Sequence, residues 1–203
     1  MATRTSIGAK RERARRNTAE SILDVAEQLV QSRGFNAFSY ADIANTLGVT
    51  KASLHYHFPG KAELGHALLA RYARRFADAL AEIDRGRLPA PDRLAAYAEL
   101  YATTLRRRRM CLCGMLAAEF ATLPKPINEA VVAFFDDNER WLMSVLEQGR
   151  ADGTLEFEGP AGDTARMIIG SLEGAMLVTR PYGDVGRFNT TVAALLASLE
   201  PQA

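Results

Sequence analysis

The 203-residue chain contains no run of about 18 consecutive apolar residues, so no membrane-spanning helix is expected. It has only two cysteines, Cys111 and Cys113, too few for a disulfide framework, and a reducing cytoplasm is the expected compartment. The basic N-terminus is not followed by an apolar segment, which argues against a secretory signal. Of the three histidines, His55 and His57 are two apart and would face different ways on a helix, so they make no metal pair, and no other ligand cluster stands out. A phosphate-cradling glycine loop and a Ser/His/Asp arrangement are also missing, so neither an enzyme nor a cofactor is expected. No segment alternates apolar and polar residues as a strand would, and no internal repeat is visible.

What is present is helical periodicity from end to end. The net charge is only +1, but residues 1–16 hold Arg4, Lys10, Arg11, Arg13, Arg15 and Arg16 against Glu12 alone, a basic arm of the kind that grips nucleic acid. Residues 1–9 are expected to be disordered, with a helix from Lys10. Ile22, Val25, Ala26, Leu29 and Val30 then mark one buried face, which ends at Arg33-Gly34. After Pro59-Gly60-Lys61 a single stripe, Leu64, Leu68, Tyr72, Phe76, Leu80 and Ile83, predicts a long helix over 62–83. A Gly/Pro loop at 84–91 separates it from helices predicted over 92–107, 111–122, 127–150, 162–179 and 184–199. The fold class is therefore all-α, with about nine helices: an N-terminal three-helix unit over 1–61 and a C-terminal helical unit over 62–203.

The chain is organised around residues 38–61. Ser39 and Asp42 fit a capping box, and Ile43, Ala44 and Leu47 form the stripe of one short helix. Gly48 suits a left-handed helix end, Thr50 can cap the next helix, and Pro59 stops it by disfavouring helical geometry at Phe58. Two short helices around a tight glycine turn have the form of a helix-turn-helix, whose second helix lies in the DNA major groove. On that helix Leu54 and Phe58 face inward, while Ala52, Tyr56, Ser53 and His55 form an outward face without a carboxylate. A helical hairpin inside a core has the same local pattern, so both readings stand at this point.

The segment from Ser39 to Leu64, with Ile43-Ala44, Leu47-Gly48-Val49, Leu54, Tyr56-His57-Phe58, Pro59 and Lys61, closely resembles the DNA-binding domain of TetR/AcrR-type transcriptional regulators. The resemblance extends to the whole chain in length and helix count. It implies a homodimeric protein, in most cases a repressor, that leaves a double-stranded DNA operator when a small-molecule effector binds its C-terminal half. Carried over by position, it implies DNA contacts from Thr50, Lys51, Ala52, Ser53, Tyr56 and His57, with Ser39, Tyr40 and Lys61 at helix starts where phosphates are favoured. The family usually has tyrosine where this chain has His55, also a candidate contact.

In the C-terminal half, a pocket between the central helices is expected to draw on Tyr97, Tyr101, Met115, Glu119, Phe120, Phe134, Phe135, Asn138, Trp141, Leu142, Met176 and Arg180, a lining suited to a mostly apolar effector with one or two polar handles. Beside it, four arginines, Arg106–Arg109, precede Cys111-Leu112-Cys113 and could favour a reactive thiolate, giving a thiol-based redox or electrophile sensor. Both cysteines would equally serve as small packing residues. Met167, Ile168, Gly170, Ser171, Gly174, Ala175 and Val178, with Leu195, Leu196 and Leu199, form apolar and small-residue stripes suited to dimerisation.

Overall fold

The computed structural model describes residues 3–201, with side chains from residue 17 onward. The basic side chains of the N-terminal arm lie outside the described residues. Nine α-helices are present among the described residues, and no strand. They are α1 (Thr3–Arg33), α2 (Tyr40–Leu47), α3 (Lys51–His57), α4 (Lys61–Arg85), α5 (Ala90–Arg106), α6 (Leu112–Ala118), α7 (Lys125–Ala151), α8 (Ala161–Thr179) and α9 (Val185–Ala197). Single 3-10 turns follow α6 (Phe120–Thr122) and α8 (Arg180–Tyr182). The expected all-α class and helix count are both found. The disorder expected over 1–9 gives way to helix from Thr3, continuous with the helix expected from Lys10 and with no proline to interrupt it.

α7 forms the centre of the C-terminal half, with α4 and α8 packed against it, while α9 packs on α5 and α8. α1 packs against α2, α4 and α6, so the N-terminal helix touches both halves of the chain. Its joint with α4 is electrostatic. Arg71 on α4 is only 4% exposed, and its guanidinium donates to Glu20 (3.0 Å), Asp24 (2.8 Å) and Glu27 (2.8 Å). These carboxylates are spaced four and three apart, which places them on one face of α1. Burying one cation against three hydrogen-bonded anions fixes the register of the two helices, because a slip would strand the guanidinium.

One boundary differs from the sequence pattern. The helix expected over 111–122 begins after Cys111, which is its N-cap, and ends at Ala118. Glu119 leaves the helix because its carboxylate is used elsewhere, as described below.

Candidate DNA-reading head and effector region

The reading head is built as its residues dictate. The Asp42 carboxylate accepts from both the Ser39 amide and the Ser39 hydroxyl at 2.7 Å, and these bonds hold its pKa below the usual carboxylate value. Gly48 ends α2 at φ 65°, a left-handed conformation that costs glycine least. Thr50 caps α3, its hydroxyl accepting from the Ser53 amide at 3.2 Å. Phe58, held extended before Pro59, closes α3 by donating its N–H to the Leu54 carbonyl at 2.8 Å. Leu54 is fully buried and is the only buried residue on α3.

The predicted contact residues divide into two groups. Thr50, Lys51 and Ala52 are exposed, Ser53 is half-buried, and Tyr56 is 69% exposed with its ring edge-on to His57. This is an open face that can meet a groove. Tyr40, Lys61 and His55 instead have internal partners. The buried Tyr40 hydroxyl lies 2.8 Å from the Phe58 carbonyl and 2.7 Å from that of Gly60, bracing the link between α3 and α4. Burial, with Glu63 nearby, pushes its pKa up to about 12. The Lys61 ammonium donates to the Phe38 carbonyl and lies 4.3 Å from the centre of the Phe38 ring, and burial draws its pKa below the lysine value. His55 Nδ1 lies 3.0 Å from the Pro59 carbonyl, and the ring packs on Tyr40 at 4.7 Å. With Nδ1 donating to that carbonyl, only Nε2 points away from the link. Ser39, Tyr40, Lys51, His55 and Lys61 nevertheless border one shallow recess. The polar groups of the α2 start therefore still adjoin the reading face.

Glu119 was expected in the effector pocket, but its carboxylate reaches the reading head. It accepts from the Phe35 amide at 2.8 Å and the Asn36 amide at 3.1 Å, in the turn that leads from α1 to α2. The Asn36 side chain donates to Thr122 at 2.7 Å. Nearby, the Met110 amide donates to the Gln31 carbonyl at 3.1 Å, and the Arg180 guanidinium donates to the Ser32 carbonyl. The end of α1 is thus held from three places in the C-terminal half. Phe120, another expected pocket residue, is exposed on the adjoining 3-10 turn.

The rest of the expected pocket is a packed polar-aromatic cluster. The Tyr97 hydroxyl donates to Asn138 at 3.0 Å and lies 3.1 Å from that of Tyr101. Trp141 stacks on Tyr97 at 5.5 Å, and Phe134 meets Phe135 edge-on at the same distance. Leu142 and Met176 are fully buried, and Met115 is half-buried with its sulfur 3.6 Å from Arg180.

The two thiols lie beside this cluster and are both free and buried. The Tyr72 hydroxyl donates to the Cys111 sulfur at 3.8 Å. Hydrogen bonds from Cys113, Glu173, the Gly114 amide and Tyr72 lower the Cys111 pKa to about 6, against its burial. The arginine run does not cause this shift: Arg106 pairs with Glu99, and Arg107 and Arg108 face solvent. The two thiols meet because Cys111 is the cap outside α6 and Cys113 bonds to it. Glu173 was missed in the sequence. Burial and Cys111 hold its carboxyl well above the usual range, so it can donate to the thiolate. A carboxylate amid the apolar and small residues of the second half of α8 was the available signal.

Two family models match the chain: "Bacterial regulatory proteins, tetR family" over residues 22–68 and "Tetracyclin repressor-like, C-terminal domain" over residues 90–195. The HTH-type transcriptional repressor NemR of Escherichia coli is 29% identical over 168 residues, which span 79% of this chain and 83% of that protein. A solved structure of E. coli NemR in its reduced form has a TM-score of 0.81 at 25% identity, covering 92% of this chain and 99% of that one. A TetR-family transcriptional regulator from Agrobacterium tumefaciens is 32% identical with a TM-score of 0.89, covering 92% of this chain and all of the other. The chain belongs to the TetR family and is a helix-turn-helix, DNA-binding transcriptional regulator.

Proposed function

We propose that the protein is a homodimeric repressor that leaves a palindromic operator when a small effector binds its C-terminal half. The observation that carries this reading is the Glu119 carboxylate on the Phe35 and Asn36 amides, with Met110 and Arg180 on the end of α1. A displacement of α6 or of the turn after α8 pulls directly on the turn that positions α2 and α3. Dimerisation is supported by the outer face of α8. Leu177 and Val178 are 62% and 65% exposed, next to exposed Met167, Gly170 and Gly174. Ile168 and Leu199, also assigned to that face from the sequence, are buried within the chain instead. A twofold dimer presents two α3 helices about 34 Å apart to successive major grooves, so a small change in their separation prevents both from docking.

The test is fluorescence anisotropy with the DNA upstream of the protein's own gene, over a salt series. Sequence-preferring binding by a dimer is expected, and Lys51→Ala should lower the salt slope by about 1 if the lysine meets a phosphate. Equal affinity for scrambled DNA at physiological salt would reject the operator reading.

A second reading, a thiol-based electrophile sensor, is favoured by the Cys111 environment. The Cys111 thiolate would add to the electron-poor carbon of an enone, forming a C–S bond while the C=C pair becomes an enolate that takes up a proton. Because the Cys111 pKa is lowered to about 6, its thiolate is present above that pH and lost below it. Alkylation of Cys111 by iodoacetamide in the unsubstituted chain, followed by mass spectrometry, should rise through a midpoint near pH 6. A midpoint at the free-thiol value of about 8.5 would remove this reading's basis.

A further inference from the structure

A cleft of about 560 Å³ lies between the turn that ends α5 and the turn that joins α8 to α9. Arg108 and Arg109 form one wall, Arg180 and Thr179 the other, and Leu105, Met110, Pro181, Tyr182 and Val185 complete it. No carboxylate lines it. Among the described residues, Arg108 and Arg109 have no ion-pair partner, whereas the neighbouring Arg106 is paired with Glu99. Thr179 is only 4% exposed, and its hydroxyl makes no hydrogen bond among the described residues. The cleft therefore holds three like charges and the Thr179 hydroxyl beside an apolar floor.

The backbone adds a second observation. Arg108 has φ 57°, the left-handed position that follows a helix end, and the Arg109 amide closes the turn on the Thr104 carbonyl at 3.2 Å. Glycine takes this conformation without steric cost, whereas a residue with a Cβ is strained there. The turn itself needs no side chain at this position, and the arginine adds only its guanidinium at the cleft mouth.

We infer that the cleft receives a small organic carboxylate with an apolar body. The guanidinium fork matches a carboxylate in two parallel hydrogen bonds, and the Thr179 hydroxyl can donate to it. The apolar body lies on Leu105, Met110 and Val185. An anion there also bears on the reading head. The two walls are the segments that hold α1, through the Met110 amide on the Gln31 carbonyl and through Arg180 on the Ser32 carbonyl. A carboxylate that recruits Arg180 withdraws a donor from the end of α1. This last step rests on the ligand-responsive repressor reading, and the binding step does not.

The test is calorimetry of the full chain with hexanoate, hexylamine and inorganic phosphate. Saturable binding of hexanoate is expected, with no binding of hexylamine and weaker binding of phosphate. Arg108→Gly should weaken hexanoate binding at least tenfold while its melting temperature holds or rises, since glycine suits the turn. Arg109→Gln should weaken it similarly, a check independent of the backbone change. Hexanoate affinity unchanged in both variants, no hexanoate binding, or equal binding of hexylamine would overturn the assignment. Phosphate binding as tightly as hexanoate would overturn the apolar-bodied ligand. Hexanoate bound through Arg108 without release of operator DNA would leave the cleft standing and remove the ligand-release reading.

Discussion

Leu54→Ala is expected to destabilise the reading head by about 2–5 kcal/mol, the usual range for emptying a fully buried leucine site. α3 has seven residues, too few to be helical alone in water, so its order comes from docking. Leu54 is the only side chain on α3 that is buried, and it faces the core shared with α1 and α2. The remaining supports are polar or half-buried: the Thr50 cap and the closing bond at Phe58, each worth about 1 kcal/mol, and His55 on Tyr40 and on the Pro59 carbonyl. With Leu54 truncated, these cannot hold the exposed face of α3 in register. DNA binding must then re-order the helix, and a cost of about 3 kcal/mol lowers operator affinity about a hundredfold. Leu54→Met, which keeps the volume, should cost less than about 1.5 kcal/mol and stay within about tenfold of the parent. Thermal melts and anisotropy on both variants read this directly. Parent-like DNA affinity in Leu54→Ala would show that α3 is held by something other than its buried side chain.

The reading head was legible in the sequence because its signals are local. Ser39 with Asp42, Gly48, Thr50 and Pro59 each act within four residues, and each does in the structure what its chemistry dictates. Two kinds of information were not local. Tyr40 and Lys61 begin helices, so a sequence reading sends them outward to phosphates. Their partners, the carbonyls of Phe58, Gly60 and Phe38, become available only once α2, α3 and α4 are packed. The same limit applies to the C-terminal half. Aromatic residues at helical spacing locate the Tyr97–Trp141 cluster, but periodicity does not distinguish a packed cluster from an open pocket. The arginine-lined cleft lies at two turns, where no period exists to read. The arginine run was visible, but its role was assigned to the nearest thiols, and the shift at Cys111 comes instead from Cys113 and a carboxyl 62 positions away on α8.

Glu119→Ala is expected to loosen the joint between the two halves without unfolding either. The Glu119 carboxylate satisfies two backbone amides of the α1–α2 turn, and no other acceptor for those amides is present among the described residues. Hydrogen bonds to a charged partner contribute about 1.5–3 kcal/mol, more than neutral ones, because the donors lose their acceptor in a half-buried place. A loss of about 2 kcal/mol should speed hydrogen exchange at the Phe35 and Asn36 amides about thirtyfold, while the amides of α7 exchange as before. In a chain of this size the melting temperature should fall by about 4–8 °C. Thr122→Ala is the contrasting case. It removes the exposed partner of the Asn36 side chain and a donor to the Glu119 carbonyl but keeps the Glu119 carboxylate, so exchange at Phe35 should be unchanged. Unaltered exchange at both amides in Glu119→Ala would mean that the α1–α2 turn holds itself. Coupling would then run through the other joints, the Met110 and Arg180 bonds to the end of α1 or the Arg71 joint between α4 and α1.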